Sequence, residues 1–241
     1  MAESPLQEQV AVVTGSSQGI GRAVALRLAQ MGATVLAAAR GAAPLQELVA
    51  EIERGGGRAL AVACDVRSET DIQRLARSAI EGAGRLDIWV NNAGIGHFGV
   101  PLHETAPEAW TATMETNLRA AYLSIRAIAP HLIQRRGGHI INIASLAAHN
   151  PVAGGAAYAA SKAALRSLSI SAAEELRGYG IRVSVISPGS VDTDLSPRLV
   201  GAKDRARMLQ PADIAHAVAM LVTQSPRSFT SEVLIRPTQK P

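Results

Sequence analysis

Seven short apolar runs alternate with stretches of helical periodicity along the whole chain, and no other feature narrows the possible folds as much. The runs are QVAVVTG (9–15), ATVLAAAR (33–40), RALAVACDV (58–66), LDIWVNNAG (86–94), GHIINIAS (138–145), IRVSVISPG (181–189) and SEVLIRP (231–237). Several are nearly continuous in Val, Ile, Leu and Ala, the pattern of parallel strands covered on both faces. Helical segments near 20–31, 43–54, 69–82, 108–136, 158–178 and 211–224 separate them, with glycine or proline at most junctions. Repeated strand–helix–strand units predict an α/β fold with a seven-stranded parallel sheet, doubly wound, with helices on both faces.

At 241 residues the chain suits one domain, 1–241. Residues 1–7 are predicted as a flexible N-terminal tail. The stretch 190–208, rich in Ser, Pro, Asp and Arg, follows a strand end and is expected to be a substrate loop. Aromatic residues are only 3% of the chain, so the core must be built from small aliphatic side chains.

The composition also excludes several functions. The net charge of +4 is spread thinly, with Arg135-Arg136 the densest local pair, so no nucleic-acid surface is expected. A lone cysteine, Cys64, precludes an intrachain disulfide and a cysteine-rich zinc site. The six histidines show no metal-ligand spacing, so no protein-bound metal is predicted. No run reaches membrane-spanning length and no leader pattern opens the chain, so a cytoplasmic location and no membrane partner are expected.

The first strand runs directly into TGSSQGIG, Thr14 to Gly21. Gly15, Gly19 and Gly21 permit a tight turn and close approach of a ligand, and the helix opening there points its free N–H groups at an anion. After the first strand of such an alternation, this is a dinucleotide loop of a single-domain Rossmann fold. The second strand ends AAAR, with no carboxylate for a ribose 2′-hydroxyl. Arg40 stands there instead and is suited to a 2′-phosphate, which favours NADP(H) over NAD(H).

One of three tyrosines, Tyr158, precedes one of three lysines, Lys162, by four positions in AAYAASKAAL. On a helix the two share a face. An ammonium beside a phenol favours phenolate and is expected to lower the tyrosine pKa, which makes the pair a candidate acid/base unit.

With TGxxxGxG, NNAG and Tyr-x-x-x-Lys in that order, the chain resembles the short-chain dehydrogenase/reductase family over residues 8 to 235. The resemblance implies hydride transfer between a nicotinamide and a ketone or secondary alcohol, of the carbonyl or β-keto ester reductase type. A 3-oxoacyl reductase of fatty acid synthesis is the alternative within that chemistry, and a non-catalytic NADP-binding sensor the alternative outside it. It implies Asn117, Ser145, Tyr158 and Lys162 as the catalytic set, with Asn117 holding a relay water and Ser145 bonding the substrate oxygen. Ser17, Ile20, Asp65, Val66, Asn92, Ala93 and Gly94 would join the glycines and Arg40 around the cofactor, as would Tyr158 and Lys162. The segment Pro188, Gly189, Val191 and Thr193 would cover the nicotinamide, and Asn91 would stabilise the sheet. A homotetramer or homodimer is implied in the same way. By position, His97, Phe98, His149 and Asn150 are expected to line the substrate pocket; Arg198, Lys203, Arg205 and Arg207 could attract an acidic substrate or a carrier protein, but a solvated mobile loop is the favoured reading. The chain departs from the family at its end, where RPTQKP replaces the usual glycine pair.

Overall fold

The strands are β1 (Val10–Thr14), β2 (Thr34–Ala39), β3 (Arg58–Ala63), β4 (Ile88–Asn91), β5 (Gly138–Ile143), β6 (Ile181–Pro188) and β7 (Glu232–Ile235). Alternate residues of β1 feed two different cores. Ala11 and Val13 face one, Val10 and Val12 the other, as the two-residue period of a strand requires. In this computed structural model, which describes residues 4–195 and 204–241, all strand pairings are parallel, in the order β3-β2-β1-β4-β5-β6-β7.

The helices are α1 (Gly19–Gln30), α2 (Ala42–Arg54), α3 (Glu69–Arg77), α4 (Pro107–Met114), α5 (Ala120–Arg135), α6 (Ala156–Leu176) and α7 (Pro211–Val222). One sheet face is covered by α1, α2 and α7, whose Val24, Leu28, Leu48, Ile214 and Val218 are fully buried. The other is covered by α3, α5 and α6, through Ile72, Leu75, Ile128, Leu132 and Ala173. Proline opens both α4 and α7, where a missing N–H costs nothing. The expected single helix over 108–136 is α4 and α5 joined by a π turn, Glu115–Arg119, and α3 ends in a second π turn, Ser78–Gly82.

Two expectations are corrected. The segment predicted as a flexible tail is anchored by residue 6: Leu6 is buried in the core, and its N–H donates to Met31 O at 2.9 Å. Leucine is a core residue wherever the chain brings it over apolar ground, whatever its distance from the terminus. The prediction that strands are covered on both faces fails at β3, where only Ala59 is buried and Leu60 is 49% exposed. β3 is an edge strand, and cover reaches it only in part, at Ala59 on one face and Val62 on the other.

Candidate active site

The chain order reverses direction between β1 and β4, and a cleft of about 420 Å³ opens above the C-terminal ends of these strands. Such a reversal leaves a crevice because the helices leaving the two strands go to opposite faces. Thr14 ties its two walls together. Its hydroxyl donates to Val90 O (3.3 Å) and accepts from the N–H groups of Asn92 (3.0 Å) and Ala93 (3.2 Å). The Asn92 amide returns two hydrogen bonds, to the carbonyls of Thr14 and Gly15.

That packing explains the glycines. A Cβ on Gly15, whose φ is +65°, would sit 2.8 Å from Ala93 Cα; one on Gly21 would sit 2.4 Å from both Asn92 Nδ2 and Gly15 O. The loop therefore presses its backbone against the NNAG turn, and α1 starts at Gly19 with its N–H groups towards the cleft. Gly15, Ser17 and Ile20 line the cleft, while Gly21 backs the loop.

At the far end, α6 carries Tyr158 and Lys162, both buried. Lys162 Nζ donates to Ile143 O at 2.8 Å and lies 5.8 Å from the Tyr158 ring centroid. Burial pulls the Lys162 ammonium down to about 8. Burial also raises the Tyr158 phenol, with the Ser145 hydrogen bond acting the other way. The expected lowering of the tyrosine by Lys162 is thus not the balance set by the chain's own groups. Desolvation of the phenol is the larger of its two influences, and Lys162 is engaged by the Ile143 carbonyl. Ser145 caps a short 3₁₀ turn, Leu146–Ala148, its Oγ accepting from Ala147 N–H at 3.1 Å.

Asn117 lies in the π turn and is buried. Its amide clamps the Ile95 backbone from both sides, at 2.8 Å each, and donates to Ser161 Oγ at 3.0 Å. A Cβ on Gly94 would be 3.3 Å from Asn117 Oδ1 and 3.4 Å from Lys162 Nζ. A side chain at Gly94 would therefore press on both polar atoms.

At the cleft's other end stand Arg40, immediately after β2, and Asp65, after β3. Sequence reasoning missed Arg67, which also lines the cleft and grips Asp65 through Nε (3.0 Å to Oδ1) and Nη2 (2.6 Å to Oδ2). The hydrogen bonds from Arg67 hold the Asp65 carboxyl below its ordinary range. Cys64, Thr116 and Leu195 line the cleft as well. Burial, with Asp71 nearby, pushes the Cys64 thiol up to about 11, so it is an inert wall group.

The four expected substrate-pocket residues separate. Phe98 packs edge-on against Tyr158, with centroids 5.0 Å apart, in a niche left by Gly96 and Gly155. His97 and Asn150 are exposed and outside the cleft wall. His149 lies outside the cleft wall, its Nε2 3.1 Å from Glu232 Oε1. In the 190–208 stretch, Val191 and Thr193 line the cleft. Arg205 and Arg207 pair with Asp192 and Asp204, and Arg198 and Lys203 lie outside the described residues. Among the described residues there is no group of three or more His, Cys, Asp or Glu able to hold a metal, and no helix is long and apolar enough to cross a membrane.

The chain matches the family model of short chain dehydrogenases over residues 9–203. A metagenomic short-chain oxidoreductase solved in complex with NADP is 47% identical, with a TM-score of 0.87, and the match covers 98% of this chain and 100% of that one. An alcohol dehydrogenase from Thermococcus sibiricus, solved with 5-hydroxy-NADP, is 28% identical with a TM-score of 0.88, over 97% and 98% of the two chains. The 1-deoxy-11-beta-hydroxypentalenate dehydrogenase of Streptomyces exfoliatus is 41% identical over 79% of this chain and 70% of its own length. The protein therefore belongs to the short-chain dehydrogenase/reductase family. It is an oxidoreductase, and the Gly15–Gly21 cradle and the Arg40 end of its cleft fit the pyrophosphate and 2′-phosphate of NADP(H).

Proposed function

We propose that the protein is an NADP(H)-preferring reductase of ketones and β-keto esters that also oxidises the corresponding secondary alcohols. The observation that carries this reading is the meeting of Ser145, Tyr158 and Lys162 at one end of the cleft whose other end holds Arg40. When bound, the nicotinamide cofactor supplies or accepts the hydride. The chain's own residues handle the proton and the developing charge. Ser145 Oγ holds the carbonyl oxygen, and Tyr158 delivers the proton to it. Lys162 steadies the phenolate left behind, and Asn117 holds the water that re-protonates the site. A raised phenol suits a proton donor, since Tyr158 then stays protonated until the carbonyl oxygen gains charge.

Phe98, set against Tyr158, with the exposed Val100 and Val152 nearby in sequence to the two glycine turns, supports an apolar group beside the carbonyl. Arg205 and Arg207 are ion-paired within their own segment, which favours a free small molecule over an acidic carrier as the substrate. The alcohol-oxidising direction is supported by the relative named for a hydroxy compound. The exposed Trp110, Tyr122 and Ile170 on α4, α5 and α6 support a homotetramer or homodimer, which a mass measurement in solution decides.

The test follows absorbance at 340 nm with ethyl acetoacetate, in parallel with NADPH and NADH. Turnover with NADPH above NADH is expected. Tyr158→Phe should lower kcat by roughly 10²–10⁴-fold while NADPH affinity stays within about twofold, the scale of a lost general acid. Cofactor binding without consumption, for a broad panel of ketones, would favour a nucleotide sensor instead.

A further inference from the structure

One carboxylate on the last strand touches two residues, Arg166 and His149, that lie on the elements carrying the proposed catalytic set. Glu232, the first residue of β7, accepts from Arg166 Nε at 2.6 Å on Oε1 and from Arg166 Nη2 at 2.7 Å on Oε2. His149 Nε2 lies 3.1 Å from the same Oε1, an ion-pair separation with the ring out of line for a well-directed hydrogen bond. Arg166 stands one helical turn beyond Lys162 and two beyond Tyr158, on the same face of α6. His149 closes the 3₁₀ turn that Ser145 opens. The carboxylate therefore bridges the turn bearing the serine and the helix bearing the tyrosine and lysine.

Exposed ion pairs usually contribute little. This one differs in being bidentate and shared with a third group. Its side chains are also shielded, at 19% exposure for Glu232 and 22% for His149. The Arg166 guanidinium, and to a lesser extent His149, hold the Glu232 carboxyl below its ordinary range. A second contact reinforces the first: a Cβ on Gly189 would meet Pro237 Cδ at 3.0 Å and Leu146 Cδ1 at 3.3 Å, so the chain leaving β7 closes over the residue next to Ser145.

We propose that Glu232 is a positioning residue that fixes the separation between the Ser145 turn and the Tyr158–Lys162 face of α6, with His149 as its pin on the turn. The catalytic part of this inference rests on the carbonyl-reductase reading; the pinning itself does not. The departure of the C-terminal segment from the family pattern then matters for chemistry, because the same segment supports the turn.

The test uses the full chain and two variants, Glu232→Gln and His149→Phe, with hydrogen–deuterium exchange and steady-state kinetics on ethyl acetoacetate. Both variants should speed amide exchange in the 146–155 segment by about tenfold, and leave the 19–30 segment of α1 unchanged. They should lower kcat by about tenfold with little change in NADPH affinity, because a sub-ångström drift of the serine acts on the reacting geometry. The double variant should be no worse than Glu232→Gln, since both residues act through one contact. Unchanged exchange at 146–155 in both variants overturns the proposal, as does a loss of NADPH affinity that matches the loss of kcat. Faster exchange in a protein whose wild type turns over no ketone upholds the pin and rejects the carbonyl reading.

Discussion

Replacing Gly21 with alanine would put a methyl carbon 2.4 Å from the Asn92 amide and from the Gly15 carbonyl oxygen. Neither atom belongs to a flexible side-chain end, because Asn92 is held by Thr14 and Gly15. The variant should lose about 1–3 kcal/mol of stability to overpacking and most of its NADPH affinity, read by urea unfolding and by nucleotide fluorescence. Arg40→Ala acts differently, since Arg40 supports no fold contact of comparable tightness. It should weaken NADPH about 10- to 100-fold and NADH little, the worth of one charged hydrogen-bond pair to the 2′-phosphate. Equal losses for both nucleotides would remove Arg40 from the selectivity argument. These residues were legible in the sequence because their roles follow from backbone position: a glycine after β1 and the residue after β2. Arg67 and His149 were not. Each side chain meets a carboxylate, Asp65 or Glu232, and the second of these is far away in sequence.

At the scale of elements, the buried polar residues lie in chains that span strands. Trp89 Nε1 donates to Asn91 Oδ1, Asn91 Nδ2 to Asn142 Oδ1, and Asn142 Nδ2 to Ser169 Oγ, each at 2.8 Å, and Ser169 ends the chain on Leu165 O at 2.6 Å. β4, β5 and α6 are thereby locked in register below the catalytic face, which gives Asn91 the sheet-stabilising part that family likeness implied. A second chain joins β5 to β6. Ser184 gives its only proton to Thr230 O, so His139 Nε2, 2.8 Å away, must be the donor to Ser184 Oγ, and Nδ1 is left as a bare lone pair. Burial, aided by the Arg182 charge, lowers His139 to about 3. The unfolded chain takes up this proton near pH 6.5 and the native chain does not, so stability is full above 6.5 and falls as pH drops towards 3. The loss from this residue is about 5 kcal/mol at most across that window. His139→Gln, which keeps a donor near the Nε2 position and cannot charge, should flatten the acid limb of the stability curve in urea titrations between pH 7 and 3. A limb as steep as the wild type would show that other groups govern acid sensitivity. The helical runs were legible from their period, but the π turn carrying Asn117 was not. An extra residue in one turn shifts the helical phase at a single point, which short apolar runs on either side do not locate.

For the molecule as a whole, the order β3-β2-β1-β4-β5-β6-β7 brings the loops after β1, β2, β3, β4, β5 and β6 to one edge, and residues from all of them line the cleft. The sheet was readable from seven apolar runs, since a strand buried on both faces needs little besides Val, Ile, Leu and Ala. The exposure of β3 was not, because its neighbours on the sheet, not its own composition, decide what covers it. One packing arrangement has a bearing on how the chain assembles. α7, far later in the chain than α1, buries Ile214, Val218, Leu221 and Val222 in the same core as Val24, Ala25 and Leu28 of α1. Emerging from the ribosome, the segment bearing β1, β2 and β3 can pair them locally, yet its α1 face stays without the cover of α7 until residue 222 has been made. A chain stopped before residue 211 should therefore bind a hydrophobic dye and sediment as aggregate, whereas the full chain, released and allowed to close that seam, should do neither.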